Sequence, residues 1–262
     1  MTIFTQWYTG TDTNVAIPFP SGSGVQTEHF YIGRLGGEVH ADTNGFDIQA
    51  AKQASRTFGY WDLAGPDSPS RTTSTTAQAW GHAQAQACVA AWRANSRVTG
   101  KTLFLDIESG NGGWGSDSSA NRLVLEGALL AISAVAEPGI YITQTFWQQC
   151  FGSWDPGPFV LFLAGVHYAG TDCPTLEEAK GHWNALPAIG GMLPMIWQFQ
   201  IPGCAGQTQD WDLTPYSGWL QAGRWLPTPE PLSSTLVDQT LAKLNAAVAD
   251  LQEAITIIKQ LR

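Results

Sequence analysis

The sequence predicts an α/β protein: a β/α barrel, TIM-like though possibly irregular, followed by a coiled-coil helix at the C-terminus. Three observations carry this expectation. From residue 29 onward short apolar runs alternate with helical segments, the pattern of a parallel sheet covered on its outer side. The runs number about eight, the strand count of a β/α barrel. No Gly-rich phosphate loop follows the first run, as it would in an open doubly wound nucleotide-binding sheet.

In chain order, "TIFTQWY" reads as the first strand and "HFYIGRL" as the second, followed by the helical "GFDIQAAKQASRTF" and the strand "GYWDLAG". The alanine-rich "TTAQAWGHAQAQACVAAWRAN" is a long helix, "TLFLDIE" a strand, and "SSANRLVLEGALLAISAVA" a helix with the 3.6-residue apolar period. The alternation continues through "GIYIT" (strand), "TFWQQCF" (helix), "FVLFLAGV" (strand), "TLEEAKGHW" (helix) and "MIWQF" (strand), and closes on a strand around "DWDLT". The barrel is expected over residues 1–222. A proline-rich linker, "WLPTPEPLSS", occupies 223–234. Over 235–262, Val237, Leu241, Leu244, Val248, Leu251, Ile255 and Ile258 recur at spacings of four and three. That heptad seam predicts self-association, with a trimer favoured over a dimer, against the alternative of a helix folded back on the barrel.

Composition excludes several classes of function. Thirteen basic residues against 22 acidic ones leave a net charge of -9, which repels a phosphate backbone, so nucleic acid is not an expected partner. No apolar stretch approaches the roughly 20 residues of a membrane helix. The four cysteines form no C-x-x-C pair and the five histidines no H-x-x-x-H pair, so neither a metal nor another cofactor is expected. The N-terminal residues lack the basic and apolar regions of a secretory signal. Twelve tryptophans are many for this length; their flat rings suit either a barrel core or stacking on sugar faces.

The stretch "KTLFLDIESGNGGWG" ends an apolar strand in two acids. Strand side chains alternate faces, so Asp106 and Glu108 point the same way, about 6–7 Å apart along the backbone, with Ile107 in the opposite layer. Such a pair can divide labour: one acid protonates a leaving oxygen while the other stays ionised and stabilises positive charge, as glycosidic cleavage requires. The glycine-rich loop that follows is expected to present Trp114 over the groove. "GIYITQTFW" adds Tyr141 and Trp147, and "IWQFQIPGCAGQTQDWDLTPYSG" adds Trp197, Gln198, Asp210 and Asp212.

These stretches resemble glycoside hydrolase family 25, the lysozyme-type muramidases, over roughly residues 29–218. "FLDIE" is similar to the family's strand-end Asp-x-Glu, "GIYIT" to its strand before a tryptophan, "IWQF" to its Trp-Gln-aromatic strand, and "WDLTPYSG" to its closing Asp-Leu-Asn-x-Phe-x-Gly pattern, with Thr214 in the Asn place. The resemblance implies Glu108 as general acid, Asp106 as its partner carboxylate and Asp212 as the acid ending the final strand. It implies Tyr60, Tyr141 and Trp197 along a sugar groove, and peptidoglycan or a related glycan as substrate. One departure stands out: the family's first-strand Asp has no counterpart in "TIFTQWYTG", where the next acid is Asp12, and Asp62 is expected as a substitute. Two readings follow, a muramidase-like hydrolase or a weak or inactive barrel that binds glycan or serves a larger assembly. Without a signal sequence, a cell-wall enzyme would reach its substrate by lysis release or on a phage tail or secretion device.

Overall fold

The computed structural model describes residues 6–12, 30–42, 45–46, 48–165, 174–201 and 210–216. The chain divides into two units, Met1–Trp225 and Leu226–Arg262. The expected linker and coiled-coil helix lie outside the described residues.

The strands are β1 (Tyr8–Thr11), β2 (Phe30–Gly37), β3 (His40–Ala41), β4 (Arg56–Asp62), β5 (Thr102–Asp106), β6 (Glu137–Thr143), β7 (Val160–Ala164), β8 (Pro194–Gln200) and β9 (Trp211–Thr214). The helices are α1 (Ile48–Gln53), α2 (Ala77–Ala94), α3 (Ser118–Ser133), α4 (Gln144–Phe151) and α5 (Leu176–His182). The sheet runs β1-β9-β8-β7-β6-β5-β4-β2-β3, and a further β1–β2 pairing closes eight of its strands into a barrel. The short β3 only folds back on β2 beyond the closed ring.

Three details differ from the sequence expectation: Arg56, Thr57 and Phe58, expected at the end of a helix, open β4, and the first and last strands depart as follows. The first strand spans Tyr8–Thr11, starting at the last residue of the expected run 2–8, and pairs parallel with β2 through Gly10 and Phe30. Glycine is required there because a Cβ on Gly10 would come within 2.3 Å of the Phe30 ring. The last strand, β9, runs antiparallel to both β8 and β1. Because of this reversal its first residues, not its last, lie at the rim where the parallel strands end.

Period-two alternation sorts the strand side chains into two cores. Leu103, Leu105, Ile107, Ile140, Ile142, Leu161, Leu163, Trp197 and Leu213 point outward into the layer beneath the helices. Phe58, Phe104 and Phe162 point inward and meet edge to face, with centroids 6.4 and 5.7 Å apart along the series. A Cβ at Gly139 would strike Phe104 at 2.5 Å, so a missing side chain on β6 makes room for this aromatic plug. The plug floors the barrel beneath its polar rim.

The helices begin where sequence chemistry places them. Thr76, Asp117 and Thr143 cap α2, α3 and α4 through side-chain oxygens, and Thr175 with Glu178 forms a full capping box on α5. At the α2–α3 crossing Gly81 faces the Val124 carbonyl and Gly127 the Gln78 carbonyl, each so close that any Cβ would collide with backbone.

Candidate active site

The inward positions at the rim form one polar cavity of about 290 Å³, lined by Asp12, Tyr60, Asp62, Asp106, Glu108, Tyr141, Phe162, Gln198, Ile201 and Asp210. Each arrives from a strand end. Tyr60 and Asp62 close β4, Asp106 ends β5 with Glu108 two residues on, Tyr141 lies on β6, Gln198 on β8, and Asp210 just precedes β9.

The end of β5 is fixed from three sides. The Asp106 carbonyl accepts from Leu63 N at 2.9 Å and from Asn111 Nδ2 at 2.7 Å, while Ile107 N donates to the Tyr141 carbonyl at 3.0 Å. Asp106 is 8% exposed, and its Oδ1 has no hydrogen-bond partner among the described residues. Burial, followed by the charges of Glu108, Asp62 and Asp12, holds its pKa well above the ordinary carboxylate range. Glu108 stands at the exposed lip, where partial desolvation and the Asp62 charge raise its pKa. Asp210 is pushed up to about 6 by burial and by Glu108. These carboxyls titrate as a set, and the set retains protons that isolated acids would lose.

Asp12, the next acid after the expected first strand, is brought into the cavity. It follows directly on β1, lines the cavity, and has its pKa raised by burial and by the charges of Asp212 and Asp210. The misplacement came from assigning the strand to the β-branched and aromatic run at residues 2–8, which moved its end too far upstream. The short polar strand "YTGT" carries little propensity signal of its own. Asp62, expected as a substitute carboxylate, lines the same cavity. Its Oδ2 accepts from Arg34 Nε at 2.9 Å and Nη2 at 2.6 Å, and Arg34 Nη1 donates to Asp42 at 3.0 Å.

Four other expectations are corrected. Asp212 is inward but fully buried, with its Cα opposite those of Gly10 and Gln198, below the cavity lining. The antiparallel course of β9 gives the rim position to Asp210 instead. Trp197 is 0% exposed and outward, because it neighbours the inward Gln198 on a strand of period two. Trp147 is also 0% exposed; it belongs to α4, stacks on Trp154 at 5.9 Å and packs against Phe151 at 4.6 Å in the outer layer. Trp114 donates from Nε1 to the Leu63 carbonyl at 3.0 Å and meets Phe151 edge to face, so it ties two rim loops together and does not cover the groove. Phe162 and Ile201 complete the lining without having been singled out in the sequence.

Among the described residues no three His, Cys, Asp or Glu side chains are arranged to hold a metal ion. None of the described helices is long and apolar enough to cross a membrane.

No protein-family model matches the sequence, and no curated protein matches it. Solved structures do match. A family GH25 lysozyme from Aspergillus fumigatus superposes with a TM-score of 0.59 at 18% identity, over 84% of this chain and 99% of that one. A muramidase from Acremonium alcalophilum gives 0.54 at 18% identity, over 83% and 100%. The catalytic domain of endolysin ply40, from bacteriophage P40 of Listeria monocytogenes, gives 0.51 at 13% identity, over 84% and 98%. The chain thus has the barrel fold shared by lysozymes of glycoside hydrolase family 25 and by endolysin catalytic domains.

Proposed function

We propose that the chain is a glycoside hydrolase that cleaves bacterial cell-wall peptidoglycan, a muramidase-type activity. The observation that carries this reading is the ring of carboxyl groups, Asp12, Asp106, Glu108 and Asp210, in one cavity open at its lip. The likeness in fold to lysozymes and muramidases supports it.

In this reading Glu108, the exposed member of the set, reaches the glycosidic oxygen. Its raised pKa favours the protonated form, and it transfers that proton as the bond to the anomeric carbon breaks. Positive charge developing on the sugar faces the Asp12 carboxyl group, and the substrate's acetamido oxygen or a water completes the displacement. Asp106, deeper and coupled to Glu108, is the partner that keeps a proton within the pair. The Tyr60 phenol, its pKa raised by burial and by the surrounding acids, stays neutral and available as a hydrogen-bond donor to the sugar.

Such an enzyme acts outside the cytoplasm, released at lysis or carried on a virion or secretion device. The heptad seam at 237–258 would hold several copies together. The deciding experiment is release of reducing sugar from purified peptidoglycan. Wild-type protein produces it, and Glu108→Gln, whose amide cannot protonate the leaving oxygen, loses activity by more than a hundredfold with an unchanged circular dichroism spectrum. Retention of glycan by a wild type that never turns it over would establish the binding-module reading instead.

A further inference from the structure

Gln198 and Tyr141 line the cavity, yet their polar atoms are engaged with each other and with Asp12. Tyr141 Oη donates to Gln198 Oε1 at 2.9 Å, which occupies the carbonyl end of the amide and turns its nitrogen the other way. Gln198 Nε2 then donates to both Asp12 oxygens, at 3.2 Å to Oδ1 and 3.1 Å to Oδ2. Gln198 is only 6% exposed, so little water competes for these contacts.

We infer that Gln198, oriented by Tyr141, is a positioning residue that favours the ionised form of Asp12 against the acids that surround it. The inference rests on the hydrolase reading above. Asp12 faces Asp210 and Asp212 from the β9 side, Asp106 from β5, and the phenols of Tyr60 on β4 and Tyr141 on β6. Burial and the charges of Asp212 and Asp210 raise the Asp12 pKa well above the ordinary carboxylate range, and the Gln198 amide is the side-chain donor that opposes the rise. An amide nitrogen donates only, and its two contacts match the two equivalent oxygens of a carboxylate. Asp106 Oδ1 has no donor among the described residues, and for this acid Asn111 is the side chain that opposes the rise. Gln198 is neutral, so it leaves the total charge unchanged and decides only where the charge sits. A negative Asp12 beside a protonated Glu108–Asp106 pair is the distribution that acid-assisted cleavage needs.

The test compares Gln198→Met, of similar volume and without a donor, with Tyr141→Phe, which keeps the amide but frees its orientation. Two readouts are taken: the pH profile of kcat on peptidoglycan, and the Asp12 carboxyl titration followed by carbon NMR. In Gln198→Met the expected results are a fall in kcat of at least tenfold at pH 5–6, KM within threefold, and an acid limb displaced upward by at least one pH unit. The Asp12 titration should move upward with it. Tyr141→Phe gives a smaller displacement in the same direction, and it carries the test if Gln198→Met fails to fold. Unmoved Asp12 titration in the folded variants overturns the inference, as does a raised KM with unchanged kcat, which would make Gln198 a substrate contact. A wild type without turnover removes the hydrolase reading, and the titration alone then decides whether Gln198 governs Asp12.

Discussion

Arg34 grips a single oxygen of Asp62 with two nitrogens, Nε at 2.9 Å and Nη2 at 2.6 Å, at the lip of the acid-lined cavity. Burial raises the Asp62 pKa and the guanidinium opposes that rise, so a negative charge is held beside Glu108. That charge is the second cause, after desolvation, of the raised Glu108 pKa. If Glu108 is the general acid, the basic limb of the pH–rate profile follows its ionisation. Asp62→Asn should therefore move the basic limb of kcat/KM toward lower pH by roughly 0.5–1 unit. A limb that stays in place would separate Asp62 from the tuning of Glu108.

Asp210 gives a stability prediction. Its pKa in the folded protein is about 6 against an ordinary 3.8, so the native state binds its proton more tightly than the unfolded chain. The stabilisation from this group is fully present below pH 3.8 and is lost as pH rises through 6. Asp210→Asn removes that loss. The variant should exceed wild type at pH 7 by on the order of 2 kcal/mol and match it near pH 4, as read by urea denaturation at both values. A difference independent of pH would refute the assignment.

Trp147 tests the corrected assignment of the aromatic residues. With 0% exposure and a stack on Trp154, its truncation to alanine opens a large hole in the outer core. A loss of about 3–5 kcal/mol is expected, with glycan affinity unchanged in the protein that remains folded. Weakened binding at intact stability would return Trp147 to the groove.

The heptad at residues 237–258 predicts self-association. Light scattering on the full chain should give a multiple of the monomer mass, and a chain ending at Pro227 should give the monomer. Equal monomer masses for both would mean that the helix does not associate with copies of itself.

Much of the site was legible because strands alternate. Once "TLFLDIE" is a strand ending at a loop, Asp106 and Glu108 share a face, and the same parity places Tyr60 with Asp62 and Tyr141 with Thr143. Parity also contained the correction for Trp197: it is adjacent to Gln198, and one strand cannot send both inward. Trp147 was harder, since a tryptophan just beyond a strand end suits a sugar platform as well as a helix core. The β1 boundary was hidden because "YTGT" is polar and short, and its pairing depends on Phe30, a residue 20 positions away from Gly10.

By itself the sequence determined the local elements: apolar strand runs, the helical segments between them, and the shared face of Asp106 and Glu108. These follow from contacts a few residues apart, which the chain specifies wherever it is folded. Closure of β1 on β2, the reversal of β9 and the meeting of Asp12 with Gln198 across 186 positions belong to the tertiary structure. The antiparallel pairing of β9 with β8 puts Asp210 at the rim and sinks Asp212 two residues deeper. Closing the ring then brings the acid after the first strand against the amide of the eighth. Only in that closed ring do carboxyl groups distant in sequence share one low-dielectric cavity and compete for its protons.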